Sequence, residues 1–186
     1  EGRPVNHHGM PRFTNASFDA AYPFGQVHLS DSRLPVKVSI KGFNPLVPGD
    51  EDASGLPVAV LSYEVSNTSN EVLEVSVCGS IRTFIGKDGS QFRTDWKGDY
   101  IPTGAKDNKN EYRDKNGLKG IYFYSDGVDK DDPAWGTMAL TAKTDALVTY
   151  RTSSRADSWN NGILNFWDDF SADGELTERE RLEDQD

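Results

Sequence analysis

The sequence predicts an all-β protein: an antiparallel β-sandwich with a long polar loop and a short C-terminal helical segment. Three observations carry that expectation. Apolar and polar residues alternate with a period of two in segment after segment. Clusters of Gly, Pro, Asn, Asp and Ser punctuate those segments. No apolar stripe of helical period and useful length appears before residue 160. Several short strands joined by polar turns form the pattern of a sandwich.

Residues 26–29 are a first, weak strand. Residues 34–43 alternate more clearly, with Val36, Val38 and Ile40 opposite Lys37, Ser39 and Lys41. The best strand is 58–65, where Leu61, Tyr63 and Val65 share one face and Ser62 and Glu64 take the other. Residues 72–85 repeat the pattern, with Leu73, Val75 and Val77 against Glu74, Ser76 and Cys78. Residues 118–124, 136–142 and 147–152 are weaker strands. Turns fall at Pro48-Gly49-Asp50, Asn67-Thr68-Ser69-Asn70, Lys87-Asp88-Gly89 and Ser125-Asp126-Gly127. Residues 86–120 read as one long polar loop carrying Trp96 and Tyr100, and a loop of that length in a compact domain is usually functional or mobile. Residues 159–170 have room for one or two helical turns. The expected organisation is an N-terminal arm over 1–20, the sandwich over 21–176 and an acidic tail over 177–186.

Composition removes several function classes. The 186 residues hold 30 acidic and 20 basic side chains, a formal net charge of -10. Acid is concentrated at the end, where nine carboxylates between Asp168 and Asp186 face only Arg179 and Arg181. A nucleic-acid binder needs a basic stripe to displace counterions, and no Lys/Arg cluster exists, so no nucleic-acid partner is expected. No uncharged apolar run approaches the length of a transmembrane helix. The opening Glu1-Gly2-Arg3-Pro4 shows no signal-peptide core. It also lacks an initiator Met, so an N-terminus processed or cut from a longer chain is expected. The compartment stays open between cytoplasm and secretion. Cys78 is alone, which excludes an internal disulfide and a cysteine-based zinc cluster.

The candidate chemistry is sparse. Asp169 to Glu180 matches an EF-hand loop, with oxygen-bearing residues at positions 1, 3, 5 and 12, Gly174 at 6 and Leu176 at 8. A calcium loop needs a flanking amphipathic helix on each side, and Gly162 with Asn160 and Asn161 makes a poor first one, so an acidic turn after a short helix is the expectation. His7, His8 and His28 have no carboxylate or Cys at ligand spacing. No Gly-x-Ser-x-Gly elbow is present, and Cys78 is expected to be inert through burial. No metal and no cofactor are expected. Pairs of carboxylates suited to glycoside hydrolysis carry no signal among 30 acids.

The densest unusual stretch is Gly42-Phe43-Asn44-Pro45-Leu46-Val47-Pro48-Gly49-Asp50, followed by Ser54-Gly55-Leu56-Pro57-Val58-Ala59. Prolines end the preceding strand and force a stiff connector. This series is similar to the N-terminal domain of glycoside hydrolase family 116, the β-glucosidases and non-lysosomal glucosylceramidases. The resemblance runs from Tyr22-Pro23 through Pro35-Val36, Phe43 to Pro48, and Ser54 to Ala59, to Asn67. Gly136 to Leu140, then Trp167 to Phe170 and Asp173-Gly174, extend it.

The resemblance implies an accessory β-sandwich joined to a C-terminal α/α barrel. That barrel would carry a glutamate nucleophile and an aspartate acid/base acting with retention on β-linked glucosides or glycolipids. The chain ends before any barrel helices, so no catalytic residue is assigned and the chain alone is expected to hydrolyse nothing. Its partner would be the C-terminal catalytic domain of the same protein. Phe43, Pro45, Leu46, Pro48, Leu56 and Pro57 are the expected docking residues, and an isolated fragment is expected to self-associate through them. The alternative is a free-standing carbohydrate-binding or structural module. For it, Trp96 and Tyr100 are the candidate sugar-contacting aromatics, because sugars stack on aromatic faces.

Overall fold

A computed structural model describes residues 10–86, 92–103, 107–153 and 162–178. Among them the protein is all-β and antiparallel, as the alternation predicts, with one four-residue helix and one of 12 residues. The chain parts between Glu74 and Val75 into two compact units.

The N-terminal unit is a four-stranded meander. Its strands β1 (Asn15–Ala21), β2 (Phe24–Ser30), β3 (Val36–Phe43) and β4 (Val60–Asn67) lie in sequence order. Directly opposed residues of an antiparallel pair share a face. The register sets Phe18, Val27, Ile40 and Tyr63 in one row across the sheet. The next row, on the other face, is Asp19, Gln26, Lys41 and Ser62. The sheet therefore has one apolar and one polar face, and the faces expected for 34–43 and 58–65 are those observed.

Asp31 pins one end of this sheet. It is only 5% exposed, and a buried carboxylate must be compensated by hydrogen bonds or charge. The backbone N–H of Arg33 donates to Oδ1 at 2.9 Å, and the Arg33 guanidinium donates to both oxygens at 2.9 and 2.7 Å. The Thr14 N–H adds a bond of 3.3 Å. Arg33 holds the Asp31 carboxyl well below the usual carboxylate range, through its side-chain bonds first and its backbone bond second.

The C-terminal unit contains a small hairpin, β5 (Phe92–Thr94) with β6 (Tyr100–Pro102). It also contains a three-stranded meander of β7 (Asn108–Lys115), β8 (Leu118–Ser125) and β9 (Met138–Lys143). One row across that meander is Tyr112, Ile121 and Leu140. On this face Phe123 is buried at 5% exposure, and Tyr112 stacks on Tyr150 with ring centroids 4.1 Å apart. The opposite face sets the Arg113 guanidinium 3.7 Å over the Tyr122 ring. The one long helix of the described residues, α2 (Gly162–Asp173), ends where Gly174 takes a φ of +79° and donates to the Phe170 carbonyl at 2.9 Å, the usual glycine stop.

Several expectations are corrected here. Residues 15–20, expected in an N-terminal arm, lie in β1, whose only bulky apolar residue in alternation is Phe18. The long polar loop expected over 86–120 contains β5, β6 and β7. Strand β7 is too polar to show alternation, but Asn116-Gly117, with φ of 55° and 76°, is the two-residue turn that closes a hairpin. Residues 72–85 and 147–152, expected as strands, lie outside every ladder among the described residues. Alternation records two unlike faces and does not guarantee a neighbouring strand. The turn at Lys87-Asp88-Gly89 lies outside the described residues.

Two measurements test this fold. Asp31 has a depressed folded pKa, so its contribution is present above the unfolded Asp range, near pH 3.9, and is lost as pH falls below it. Thermal melts should show Asp31→Asn melting several degrees below wild type at pH 7, with the gap narrowing as the pH drops below about 4. Equal gaps at both pH values would refute the assignment. Gly120 offers a second test, since an added Cβ would meet the Leu140 carbonyl oxygen and lie 2.7 Å from Thr141 Cα. Gly120→Ala should cost about 1–3 kcal/mol in urea unfolding.

Candidate functional site

The N-terminal unit carries an apolar corner built by the segment between β3 and β4. After Phe43 the chain enters a tight turn in which Asp50 N–H donates to the Val47 carbonyl at 3.0 Å and Gly49 takes a φ of +83°. A single helical turn follows, α1 (Glu51–Ser54). Its N-cap is Asp50, whose Oδ1 accepts from Ala53 N at 2.9 Å, the standard reason for Asp at this position. The Ser54 hydroxyl accepts from Val47 N and donates to Val47 O, both at 3.0 Å. Beyond Gly55, Val58 N donates across Pro57 to the Leu56 carbonyl at 2.8 Å. Five hydrogen bonds thus hold the corner within itself, while Phe43, Leu46, Val47, Leu56 and Val58 are exposed.

Phe43, Leu56 and Pro57 line one open depression of about 580 Å³ with Pro23, Val58 and Val60. Leu46, Pro45 and Pro48 lie on the connector outside that lining. Exposure is 40% for Phe43, 39% for Leu46 and 53% for Leu56. Sequence reasoning left Phe24 out of the candidate set. It is the direct cross-strand partner of Phe43, which is in turn the partner of Val60. The Phe24 and Phe43 rings lie 6.1 Å apart, and Phe24 is exposed. The row Phe24–Phe43–Val60 ends the otherwise polar face of the sheet. This is why residues 58–61 are apolar on both faces: Val60 belongs to this row and Leu61 to the apolar face. The signal in the sequence was Tyr22-Pro23-Phe24, an aromatic pair around a turn proline.

Farther along the polar face, register brings together Asp19, His28 and Ser39. His28 Nε2 is 3.3 Å from Asp19 Oδ2, and its Nδ1 is 2.9 Å from Ser39 Oγ, which also accepts from Gln26 Nε2 at 3.0 Å. The order of groups is that of a nucleophilic triad, and no sequence spacing revealed it. Strands β2 and β3 are both central, so their amides are committed to ladders on either side and do not form an oxyanion hole beside Ser39. The arrangement reads as a cross-strand polar network.

The C-terminal unit holds the two candidate aromatics, brought together on the β5–β6 hairpin. Trp96 stands at its tip, 89% exposed, and Tyr100 opens β6 at 73%. Partial burial pushes the Cys78 thiol up, away from the nucleophilic thiolate. The EF-hand-like stretch closes α2. Asp169 pairs with Arg151 at 2.6 Å and accepts from Thr177 N at 2.8 Å, while Asp173 Oδ1 accepts from Glu175 N at 3.0 Å. The oxygens at loop positions 1 and 5 thus face protein donors. Arg151 and Asp169 side chains are 12% and 13% exposed, so the pair is largely withdrawn from water. Among the described residues no cluster of three His, Cys, Asp or Glu side chains could hold a metal, and no helix is long and apolar enough to cross a membrane. His7, His8 and Glu180 lie outside the described residues.

What these residues define is an antiparallel all-β protein with an exposed apolar corner between β3 and β4. Residues 4–186 match the family described as beta-glucosidase 2, glycosyl-hydrolase family 116 N-term. The chain belongs to that family, as the Tyr22-Pro23 to Asn67 series indicated. An N-terminal domain of a glycoside hydrolase implies a C-terminal catalytic domain in the parent protein.

The pairing of Asp169 with Arg151 predicts the calcium response. Millimolar calcium should leave the melting temperature of the protein unchanged. A rise that Asp169→Asn abolishes would show that the loop binds the ion in spite of Arg151.

Proposed function

We propose that this chain is the accessory β-sandwich of a retaining β-glucosidase-type glycoside hydrolase, and that its corner braces the catalytic domain of the same protein. The observation that carries the reading is the corner itself. Its backbone is held by its own hydrogen bonds, so docking costs little additional ordering. Its outward side chains, Phe43, Leu46, Leu56 and Val58, are all exposed, and exposed contiguous apolar surface marks an interaction site. Contacts between domains of one chain bury about 600–1,500 Å², a scale within reach of the corner and the neighbouring Tyr22 and Phe24. The substrate, a β-linked glucoside or glucolipid, is met chiefly by the catalytic domain. The sandwich proper spans 21–176 in this reading, with β1 added along its edge.

The experiment is Leu56→Asp in the full-length enzyme. A charge placed in a dry interface should lower the melting temperature of the whole protein and speed proteolysis between its domains. The same change in the isolated chain should leave its circular dichroism intact and reduce its self-association, read by light scattering. If full-length Leu56→Asp and Phe43→Ala both match wild type in melting and proteolysis, the corner is merely structural.

A further inference from the structure

We propose that Trp96 is a stacking platform for an outer pyranose ring of an extended β-linked glucoside, beyond the sugar whose bond is cleaved. This rests on the glycosidase reading above and names a substrate contact within it. The first observation is how the ring is presented. Four hydrogen bonds converge on Asp95: its Oδ1 accepts from Lys97 N at 2.8 Å and Asp99 N at 2.9 Å, its N–H donates to Asp99 O at 3.0 Å, and its carbonyl accepts from Gly98 N at 3.1 Å. Gly98 completes the turn at a φ of +88°, a conformation that favours glycine. These four bonds hold the tip in one shape and leave Trp96 89% exposed.

The second observation is the chemistry around the ring. At the corner described above, apolar side chains adjoin one another, as a protein partner requires. At the hairpin tip one large ring is flanked in sequence by Asp95, Lys97 and Asp99, with Tyr100 next to them. Lys97 Nζ lies 5.0 Å from the Trp96 ring centroid, so the electron-rich face already attracts positive charge. A pyranose presents the matching pattern: a face of weakly positive C–H groups for the ring and a rim of hydroxyls for charged and phenolic neighbours. Catalytic carboxylates belong to the other domain in this reading, so a residue on this one meets the part of the substrate that projects outward.

The test uses the full-length enzyme with cellotriose and 4-nitrophenyl β-glucoside as substrates. Trp96→Ala should raise the KM for cellotriose about three- to ten-fold relative to its effect on the aryl glucoside, the range of one aromatic stacking contact. The kcat for cellotriose should change little, because outer binding is felt equally in ground and transition states. Trp96→Phe should recover most of the loss. An unchanged ratio of the two KM values overturns the platform, whether both constants stay put or both rise together with a fall in melting temperature, which would mark a structural role. Wild-type enzyme inactive on both substrates would overturn the glucosidase reading and the platform with it.

Discussion

The four-stranded sheet depends on a single carboxylate. Asp31 collects the Arg33 guanidinium, the Arg33 backbone N–H and the N–H of Thr14. Thr14 immediately precedes β1, Asp31 follows β2, and Arg33 lies in the turn that leads to β3. One side chain therefore ties together the ends of three strands. Side chains in a strand alternate with a period of two, so a one-residue slip would exchange the faces of a whole strand. Phe18, Val27, Ile40 and Tyr63 form one face only in the observed register. At the far end of the same strands, Phe24, Phe43 and Val60 line up for the same reason. The apolar corner is thus set by contacts at the opposite end of the sheet.

Much of this was legible in the sequence, and the unequal success has physical causes. Strands β3 and β4 alternate because one face of their sheet is apolar and the other polar. Strands β2, β8 and β9 could be placed on shorter patterns. Strand β1 offers only Phe18 as a large apolar residue, and β7, Asn-Lys-Asn-Glu-Tyr-Arg-Asp-Lys, offers only Tyr112. Both are stabilised by ladders with a stronger neighbour, which leave little trace in the strand's own composition. For β7 the trace lies next to it, in the Asn116-Gly117 turn. Residues 72–85 show the opposite failure: their alternation is clear, yet no described strand pairs with them, and Val72, Val75, Val77 and Phe84 are exposed.

The candidate sites divide along the same line. The corner was visible because prolines and glycines write their backbone constraints directly into the sequence. Phe24 and the Asp19–His28–Ser39 network were not, because they exist only through the pairing of strands. Trp96 and Tyr100 were visible as aromatics in a polar stretch, but the knot at Asp95 that presents them depends on a short hairpin with three residues in each strand. The calcium-like stretch shows how two local structures can share one sequence signal. Its acids and glycine are needed to finish α2 and to pair with Arg151, and helix termination selects the same residue types as an oxygen-lined loop.

Magnitudes separate the two exposed apolar features. Fully covering a Leu, Val or Phe side chain is worth about 1.5–3 kcal/mol. The corner side chains are already partly covered, so each stands to gain about half of that, and Phe24, Phe43, Leu46, Leu56, Val58 and Val60 together reach the scale of a lasting contact between domains. A lone ring at the hairpin tip stands to gain about 0.5–1.5 kcal/mol from a stacking partner, too little to hold a domain in place but sufficient to favour one substrate over another. Lasting attachment needs many apolar groups in one continuous surface, and reversible recognition needs one oriented group in a wet setting. The corner and the Trp96 tip meet those two requirements separately, so the two proposed roles ask for different surfaces and do not compete for the same side chains.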